Sequence, residues 1–130
     1  MNSDQQKGLS LIEIMITLVI VAIIAGIAYP RYQRMVSKSK QVEAKTILQS
    51  IHMGQDLHKT ANEVFTNNLD DLDIQIPSDT KYAYSVTISG DGSSFIAKAV
   101  ANIDGDSALD EWQIDQDNNL VNTVNDVIEQ

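Results

Sequence analysis

The N-terminal quarter of the chain contains one long apolar run. Within residues 9–29, only Ser10, Glu13, Thr17 and Gly26 lack a clearly apolar or aromatic side chain. An α-helix rises about 1.5 Å per residue, so about 20 residues cross a hydrocarbon core of about 30 Å. The run therefore predicts one membrane-spanning helix.

Glu13 is the unusual member of this run. A carboxylate in a bilayer costs several kcal/mol, roughly 2.5 to 3.5 for Asp at the centre and less near the edge, so such residues usually have a function. Three other interpretations concern the whole run: a plain anchor whose Glu13 reaches the headgroups, a signal peptide cut after Ala28, and a buried core helix. The acid, the length and the nearby Pro30 disfavour a signal peptide, and the remaining chain is too short to surround a core helix.

Beyond Pro30 the apolar positions continue at helical spacing but on one face only. Lys, Arg, Gln and Glu separate them, which indicates an amphipathic helix. We predict one helix over residues 9–62, bent where Pro30 removes a hydrogen bond and clashes one turn back, near Gly26. The apolar face consists of Tyr32, Met35, Val36, Ser39, Ala44, Ile47, Leu48 and Ile51.

The rest of the chain shows strand and turn patterns. Residues 64–78 resemble an irregular loop, and residues 81–88 and 95–103 flank a Gly-rich turn as in a hairpin. A third strand is predicted at 111–114 and a short fourth one at Leu120. The predicted fold is α+β, with a long helix packed on three or four antiparallel strands. The expected core of the sheet is Tyr82, Val86, Phe95, Trp112 and Ile114.

Charge divides the chain into two parts. Residues 1–60 carry a net charge of +3, whereas residues 61–130 carry −12. Such polarity suits packing of identical subunits, basic helix against acidic domain, although acids also keep an exported surface soluble.

An acidic loop, residues 104–111, raises the possibility of calcium binding. Asp104, Asp106 and Asp110 offer the hard oxygen ligands that calcium prefers. The EF-hand pattern fails because Ala108 holds its fifth position and Leu109 replaces its turn glycine. A solvated hairpin loop is the alternative.

No catalytic constellation is recognisable, so we expect no enzyme. His52 and His58 lie six residues apart on the helix, a poor spacing for joint ligation. The chain has no cysteine, serine-nucleophile motif or phosphate loop, and its few basic residues predict no nucleic-acid partner.

The segment Gly8-Leu9-Ser10-Leu11-Ile12-Glu13, with its short polar leader and its apolar run, resembles the class III signal of type IV prepilins and type II secretion pseudopilins. The resemblance covers about residues 1–35. It implies that prepilin peptidase cuts between Gly8 and Leu9, that Leu9 becomes the N-methylated first residue, and that Glu13 acts in assembly. Leu9 and Ser10 replace the more common Phe and Thr.

The resemblance also divides the chain and suggests its function. Residues 1–8 would be the leader, 9–30 the transmembrane and polymerisation helix, 31–62 the amphipathic half and 63–130 the acidic β head. The expected function is a structural subunit of a type IV pilus, serving adhesion, motility or DNA uptake. It would be a single-pass inner-membrane protein, would contact an assembly platform there, and would then form a homo-oligomeric extracellular helical filament.

Two alternatives remain at this stage. A type II secretion pseudopilin would form a periplasmic pseudopilus, and major pseudopilins bind calcium in a C-terminal loop. A membrane-anchored periplasmic binding module would keep residues 1–8 and stay monomeric. Many type IVa pilins clamp their C-terminal region with a disulfide, which this cysteine-free chain cannot form.

The distribution of basic residues opposes the orientation that the resemblance requires. Lys7 alone precedes the span, whereas four basic residues follow it closely. By the positive-inside tendency this would place the C-terminal part in the cytoplasm. We follow the motif, because the peptidase site must face the cytoplasm.

Overall fold

The computed structural model describes residues 8–127. Helix α1 spans Leu11–Asn62, close to the predicted bounds, and passes through Pro30. The chain divides into two compact units, Met1–Arg34 and Met35–Gln130. In the first unit the described residues are the non-helical residues 8–10 and the start of α1, and every one of them is exposed.

The second unit contains the rest of α1 and a four-stranded antiparallel sheet in sequential order. The strands are β1 (Ala83–Ile88), β2 (Phe95–Ala101), β3 (Asp110–Asp115) and β4 (Leu120–Val124). The predicted α+β fold, the hairpin and both later strands are thereby confirmed. The predicted irregular loop, in contrast, contains a 3₁₀ helix at Leu69–Leu72, which Asn68 caps by accepting a hydrogen bond from the Asp70 amide.

The core lies between one face of the sheet and the α1 residues Ala44, Ile47, Leu48 and Ile51. The inward positions of β2 are Phe95 followed by Ala97, Ala99 and Ala101, all buried. Short alanine side chains leave room for the larger helix residues to fill the space above the middle of the sheet. Val86 and Trp112, predicted as core residues, are only half-buried at its border.

The apolar face of α1 is covered later than its sequence pattern predicted. Tyr32 and Met35 are exposed, Val36 is half-buried, and the first buried residue is Ser37 rather than Ser39. Burial at helical spacing becomes regular from Ala44 onward. The sheet and its loops therefore bury only the later turns of the helix.

The end of α1 is fixed to the following loop through a buried amide side chain. Gln55 is fully buried, donates to the Thr66 carbonyl at 2.6 Å and accepts from the Thr66 amide at 3.0 Å. The two bonds reproduce the pairing of one backbone with another. Nearby, Gly54 approaches the 3₁₀ helix so closely that an added Cβ would lie 2.9 Å from the Leu72 carbonyl oxygen.

Asp110, the first residue of β3, connects most elements of the second unit. Its fully buried carboxylate accepts from the Tyr82 hydroxyl at 2.6 Å, the Trp112 indole at 2.7 Å and the Gln41 amide at 2.8 Å. Tyr82 and Trp112 bond Oδ2, whereas Oδ1 accepts from Gln41 and also, more weakly, from the Asn122 side chain at 3.3 Å and the Asp126 backbone amide at 3.2 Å. Five donors offset the cost of burying one charge.

This network perturbs Tyr82. Burial, followed by its hydrogen bond to the Asp110 carboxylate and that group's charge, raises the pKa of Tyr82 far above its usual value near 10. The unfolded chain then releases the tyrosine proton at a lower pH than the folded chain does. The contribution of Tyr82 to the free energy of unfolding is complete below about pH 10 and is lost as the pH rises above that value.

We therefore predict that the free energy of unfolding falls above pH 10 by about 1.4 kcal/mol per pH unit for this group. Tyr82→Phe should be less stable at pH 8, by about 1–3 kcal/mol, because Asp110 loses a donor. Its stability should nevertheless fall less steeply between pH 10 and 11. Urea unfolding of the full chain in detergent, followed by circular dichroism, measures both effects. Tyr32→Phe, at an exposed tyrosine, is the matched control, and an unchanged slope in Tyr82→Phe would contradict the assignment.

Candidate functional site

The segment that carries the predicted cleavage bond is open. Gly8, Leu9 and Ser10 precede the helix, have no regular secondary structure and are exposed. A Cβ added at Gly8 would meet nothing within 4 Å. The Gly8–Leu9 bond is therefore accessible in the isolated chain, whereas residues 1–7 of the predicted leader lie outside the described residues.

Glu13 and Ser10 cap the N-terminus of α1 through two reciprocal hydrogen bonds. The Ser10 backbone amide donates to Glu13 Oε2 at 2.8 Å, and the Glu13 amide donates to Ser10 Oγ at 3.3 Å. This is a capping box, in which the cap residue and the third helical residue satisfy each other's free amides. The negative charge also lies at the positive end of the helix dipole.

The capping box gives Glu13 a role that the sequence analysis missed. The interval Ser10-Leu11-Ile12-Glu13 fits the S-x-x-E pattern that marks helix starts, so the signal was present in the sequence. One carboxylate oxygen is engaged within the subunit. Among residues 8–127 the other oxygen, Oε1, accepts no hydrogen bond, which leaves it for a partner outside the subunit.

The first turns of α1 present an apolar surface in every direction. The helix is long and apolar enough to cross a membrane, and none of its apolar window is buried within the structure. Exposed fractions of the large side chains in this part range from 43% at Ile14 to 76% at Leu11. Such a surface is covered by lipid or by other protein under working conditions, because monomeric soluble proteins rarely expose large apolar patches.

Gly26 and Pro30, the predicted bend, both lie inside the assigned helix. Pro30 has no amide hydrogen and so cannot bond the carbonyl of Gly26 one turn earlier. A Cβ at Gly26 would meet open space, so close packing within the chain does not explain this glycine. The bend itself stays a prediction.

The structure groups the acidic loop differently from the sequence analysis. One carboxylate oxygen each from Asp104, Asp106 and Asp126 lie within 4.8 Å of one another. Asp110 belongs instead to the buried network, where its two oxygens already accept five hydrogen bonds. The predicted set therefore needs correction in its third member. Both oxygens of Asp110 already accept hydrogen bonds, and the third carboxylate of the group belongs to Asp126, 16 residues further along the chain.

Asp126 is the least satisfied acid of this group. Its Oδ2 accepts from the Ile103 amide at 3.2 Å, but its Oδ1 is buried and has no hydrogen-bond partner. The residue is only 3% exposed. Burial first, and then the charges of Asp104, Asp106 and Asp110, raise the pKa of Asp126, against the lowering effect of the Ile103 amide.

The two histidines contact different groups, as the sequence analysis expected of packing residues. His52 Nε2 lies 3.2 Å from the Gln116 carbonyl oxygen, and His58 Nδ1 lies 3.0 Å from that of Val64. Two lysines of α1 are also engaged inside the second unit. Lys40 donates to the Ile103 carbonyl at 3.1 Å, and Lys45 lies over the Trp112 ring at 4.4 Å.

Comparison with known proteins gives the family. Residues 3–29 match the model of the prokaryotic N-terminal methylation motif, and residues 41–113 match the model "Type IV pilin-like G and H, putative". The fimbrial protein EcpC of Eikenella corrodens is 30% identical over 105 residues, which are 81% of this chain and 69% of that protein. The chain belongs to the type IV pilin family.

Other relatives agree with this assignment. The type IV major pilin protein PilA of Myxococcus xanthus (strain DK1622) is 29% identical over 85 residues, 65% of this pilin but only 39% of that protein. A solved type IV pilin from Shewanella oneidensis shares the fold, with a TM-score of 0.52 at 18% identity. The match covers 72% of this pilin and 99% of that chain. The protein is therefore a pilin structural subunit, and the family implies assembly into a pilus filament.

Ser10→Ala tests the capping box directly. It removes the hydroxyl that accepts from the Glu13 amide, and the loss of a cap costs about 0.5–2 kcal/mol. We expect the Glu13 amide to exchange its hydrogen at least about 2-fold faster, because such local opening energies set the exchange rate. Hydrogen exchange followed by NMR in detergent micelles measures this. Ser10→Thr should retain slow exchange, and equal exchange in Ser10→Ala would show that the cap does not form.

Proposed function

We propose that this pilin is a prepilin that is cut between Gly8 and Leu9 and N-methylated on Leu9. The cutting enzyme is a prepilin peptidase, and an inner-membrane assembly platform then adds the subunit to a helical homopolymer. The carrying observation is an exposed, non-helical cleavage segment directly before a helix whose apolar window has no buried residue. The match to the N-terminal methylation motif supports the same step.

The apolar helix serves two successive environments in this proposal. Before assembly it anchors the subunit in the inner membrane, and after assembly it packs with copies of itself in the filament core. Both environments cover the exposed surface of residues 11–30. Both are favourable because they remove apolar side chains from water. The final location is an extracellular pilus, and the names of the relatives, a major pilin and a fimbrial protein, support this choice.

Glu13 supplies specificity in this assembly. After cleavage Leu9 carries a positively charged amine, and a neighbouring subunit's Glu13 can pair with it through Oε1. The bond from the Ser10 amide to Oε2 holds the carboxylate in place meanwhile. Two charges in an apolar setting are favourable only when they are paired with good geometry, so the pair selects one register.

A type II secretion pseudopilin is the second candidate. The observation that favours it is the carboxylate cluster Asp104, Asp106 and Asp126. Such a subunit would form a short periplasmic polymer instead of a surface pilus. A membrane-anchored binding module is the third, and it would retain residues 1–8 and stay monomeric.

Processing is tested by intact mass and N-terminal analysis of the protein from cell membranes and from sheared extracellular filaments. We expect the wild type to begin at N-methylated Leu9 and to occur in the sheared fraction. Gly8→Val should remain uncut, because a branched side chain blocks close approach of the peptidase to that backbone. Gly8→Ala is the matched small variant and should still be processed in part. An uncut wild-type chain confined to the membrane would refute the proposal, whereas a processed chain that stays in the periplasm would favour the pseudopilin.

The role of Glu13 is tested by two variants that separate charge from capping. Glu13→Gln keeps an oxygen that can accept from the Ser10 amide, and glutamine occurs naturally in capping boxes, but it removes the charge. Glu13→Val removes both. We expect both variants to be cut at Gly8, to be methylated less efficiently and to yield at least about 10-fold fewer filaments in sheared fractions. If Glu13→Gln assembles like the wild type and only Glu13→Val fails, capping rather than charge pairing is the function of this residue.

A further inference from the structure

An exposed apolar stripe marks the start of the α1 portion that belongs to the second unit. Met35 and Val42 are 67% and 59% exposed. Lys38 and Ser39 lie between them in the sequence and are exposed as well. These four residues are spaced i, i+3, i+4 and i+7, so they share one side of the helix. We call Met35, Lys38, Ser39 and Val42 the helix ridge, an apolar surface with one positive charge.

A groove lies further along the same helix, between α1 and the segment that follows the 3₁₀ helix. Met53 and Leu57 form its apolar lining on the helix side, and Leu72 and Ile74 form it on the opposite side. Met53 and Leu57 are 67% and 73% exposed, so no other described part of the chain covers them. We call this the acidic groove, because the carboxylate-bearing Asp73 also lines it.

Two backbone features shape the acidic groove. The Leu72 carbonyl oxygen approaches α1 so closely that a Cβ added at Gly54 would lie 2.9 Å from it. Asp73 then adopts a left-handed conformation, with φ 47° and ψ 42°, which ends the 3₁₀ helix. Asp73 is exposed, and Asp70 and Asp71 precede it within the 3₁₀ helix. The rim of the groove is therefore negatively charged.

From these two surfaces we propose that the helix ridge of one subunit docks into the acidic groove of a second copy of this chain. The inference rests on the proposed function, since it names a contact between subunits of one filament. A helix that binds a hydrophobic groove through anchors at i, i+4 and i+7 is a common mode of recognition. Met35 and Val42 are such anchors, and Lys38 brings positive charge to the negative rim.

Continuity with the apolar helix makes a second copy the occupant. The helix ridge follows residues 11–30 along α1, and the exposed apolar surface of those residues is the part that the filament covers. The ridge and the groove are different patches of one molecule, so the contact between two copies is heterologous. Heterologous contacts that do not close into a ring produce open helical filaments. Each added subunit then offers a free ridge or groove to the next one.

The symmetry of a helical filament sets the register of this contact. Its subunits are related by rotation and translation along one axis, so neighbouring α1 helices point toward the same end. A shift from residue 42 to residue 57 is 15 residues, or about 22 Å at about 1.5 Å per residue. This shift brings Val42 of one subunit beside Leu57 of the next. It also brings Lys38 beside Met53, on the groove wall that faces Asp73.

Cysteine cross-linking within filaments tests the contact, and the cysteine-free chain contributes no thiol of its own. The double variant Val42→Cys, Leu57→Cys has one thiol on each surface, and oxidation joins cysteines whose Cα atoms lie within about 7 Å. On a non-reducing gel of sheared filaments we expect a ladder of dimers, trimers and longer chains, because each subunit contacts two others. Each single variant should stay monomeric. Val42→Cys with Asp79→Cys, at an exposed position outside the groove, is the matched control and should form no ladder.

Charge reversal is the second test. Lys38→Glu brings a like charge to the acidic rim and should lower the yield of sheared filaments at least about 5-fold. Lys81→Glu, the same change at an exposed lysine outside the ridge, should assemble like the wild type. Asp73→Asn removes the opposing charge, and asparagine tolerates the left-handed conformation. Lys38→Glu combined with Asp73→Asn should therefore regain about half of the wild-type yield or more, whereas Lys38→Glu combined with Asp79→Asn should not.

The wild-type filament separates this contact from the proposed function. If the wild type forms filaments but Val42→Cys, Leu57→Cys filaments contain only monomers, the contact is refuted and the groove is left to lipid or to a different protein. Dimers in a single-cysteine variant would overturn it in favour of an isologous contact. Full yield in Lys38→Glu, or equal rescue by Asp79→Asn, would also refute it. A wild type without filaments would refute the proposed function together with the contact. Should the double-cysteine variant not assemble, the charge variants decide.

Discussion

The folded domain of this pilin depends on one buried charge, the carboxylate of Asp110. Its donors come from α1, from Tyr82 just before β1, from β3 and β4, and from the backbone of the C-terminal segment. Removal of one donor leaves the charge less compensated, and removal of the carboxylate leaves donors buried without an acceptor. A network of this kind is costly when incomplete, which makes it selective for one arrangement of these elements.

The two units of the chain differ in how their apolar side chains are removed from water. The second unit buries its apolar side chains internally, with the alanines of β2 opposite the larger side chains of α1. The first unit buries none, and its helix leaves residues 11–30 uncovered. Its stability as a helix is therefore inseparable from lipid or neighbouring subunits, which replace water around the side chains. One continuous helix serves as both the core element of a domain and the connection to other molecules.

Sequence patterns predicted the features that depend on local spacing. The span of α1, the hairpin and the later strands follow from periodicity and turn residues, because burial on one face leaves a regular trace along the chain. The capping box at Ser10 and Glu13 was equally local and could have been recognised from its S-x-x-E pattern. The late onset of burial on α1, at Ser37, could not, since it depends on how far the sheet extends over the helix.

Long-range partners account for what sequence reasoning missed. The acid-rich stretch around residue 104 predicted oxygen ligands, and Asp104 and Asp106 do lie together. No pattern shows that Asp110 faces Gln41, 69 positions away, or that Asp126 fills the third place. The two buried acids differ because Asp110 begins a strand on the inward face, where side-chain donors from several elements reach it. Asp126 lies beyond the last strand among other carboxylates, where its Oδ1 remains without a hydrogen-bond donor.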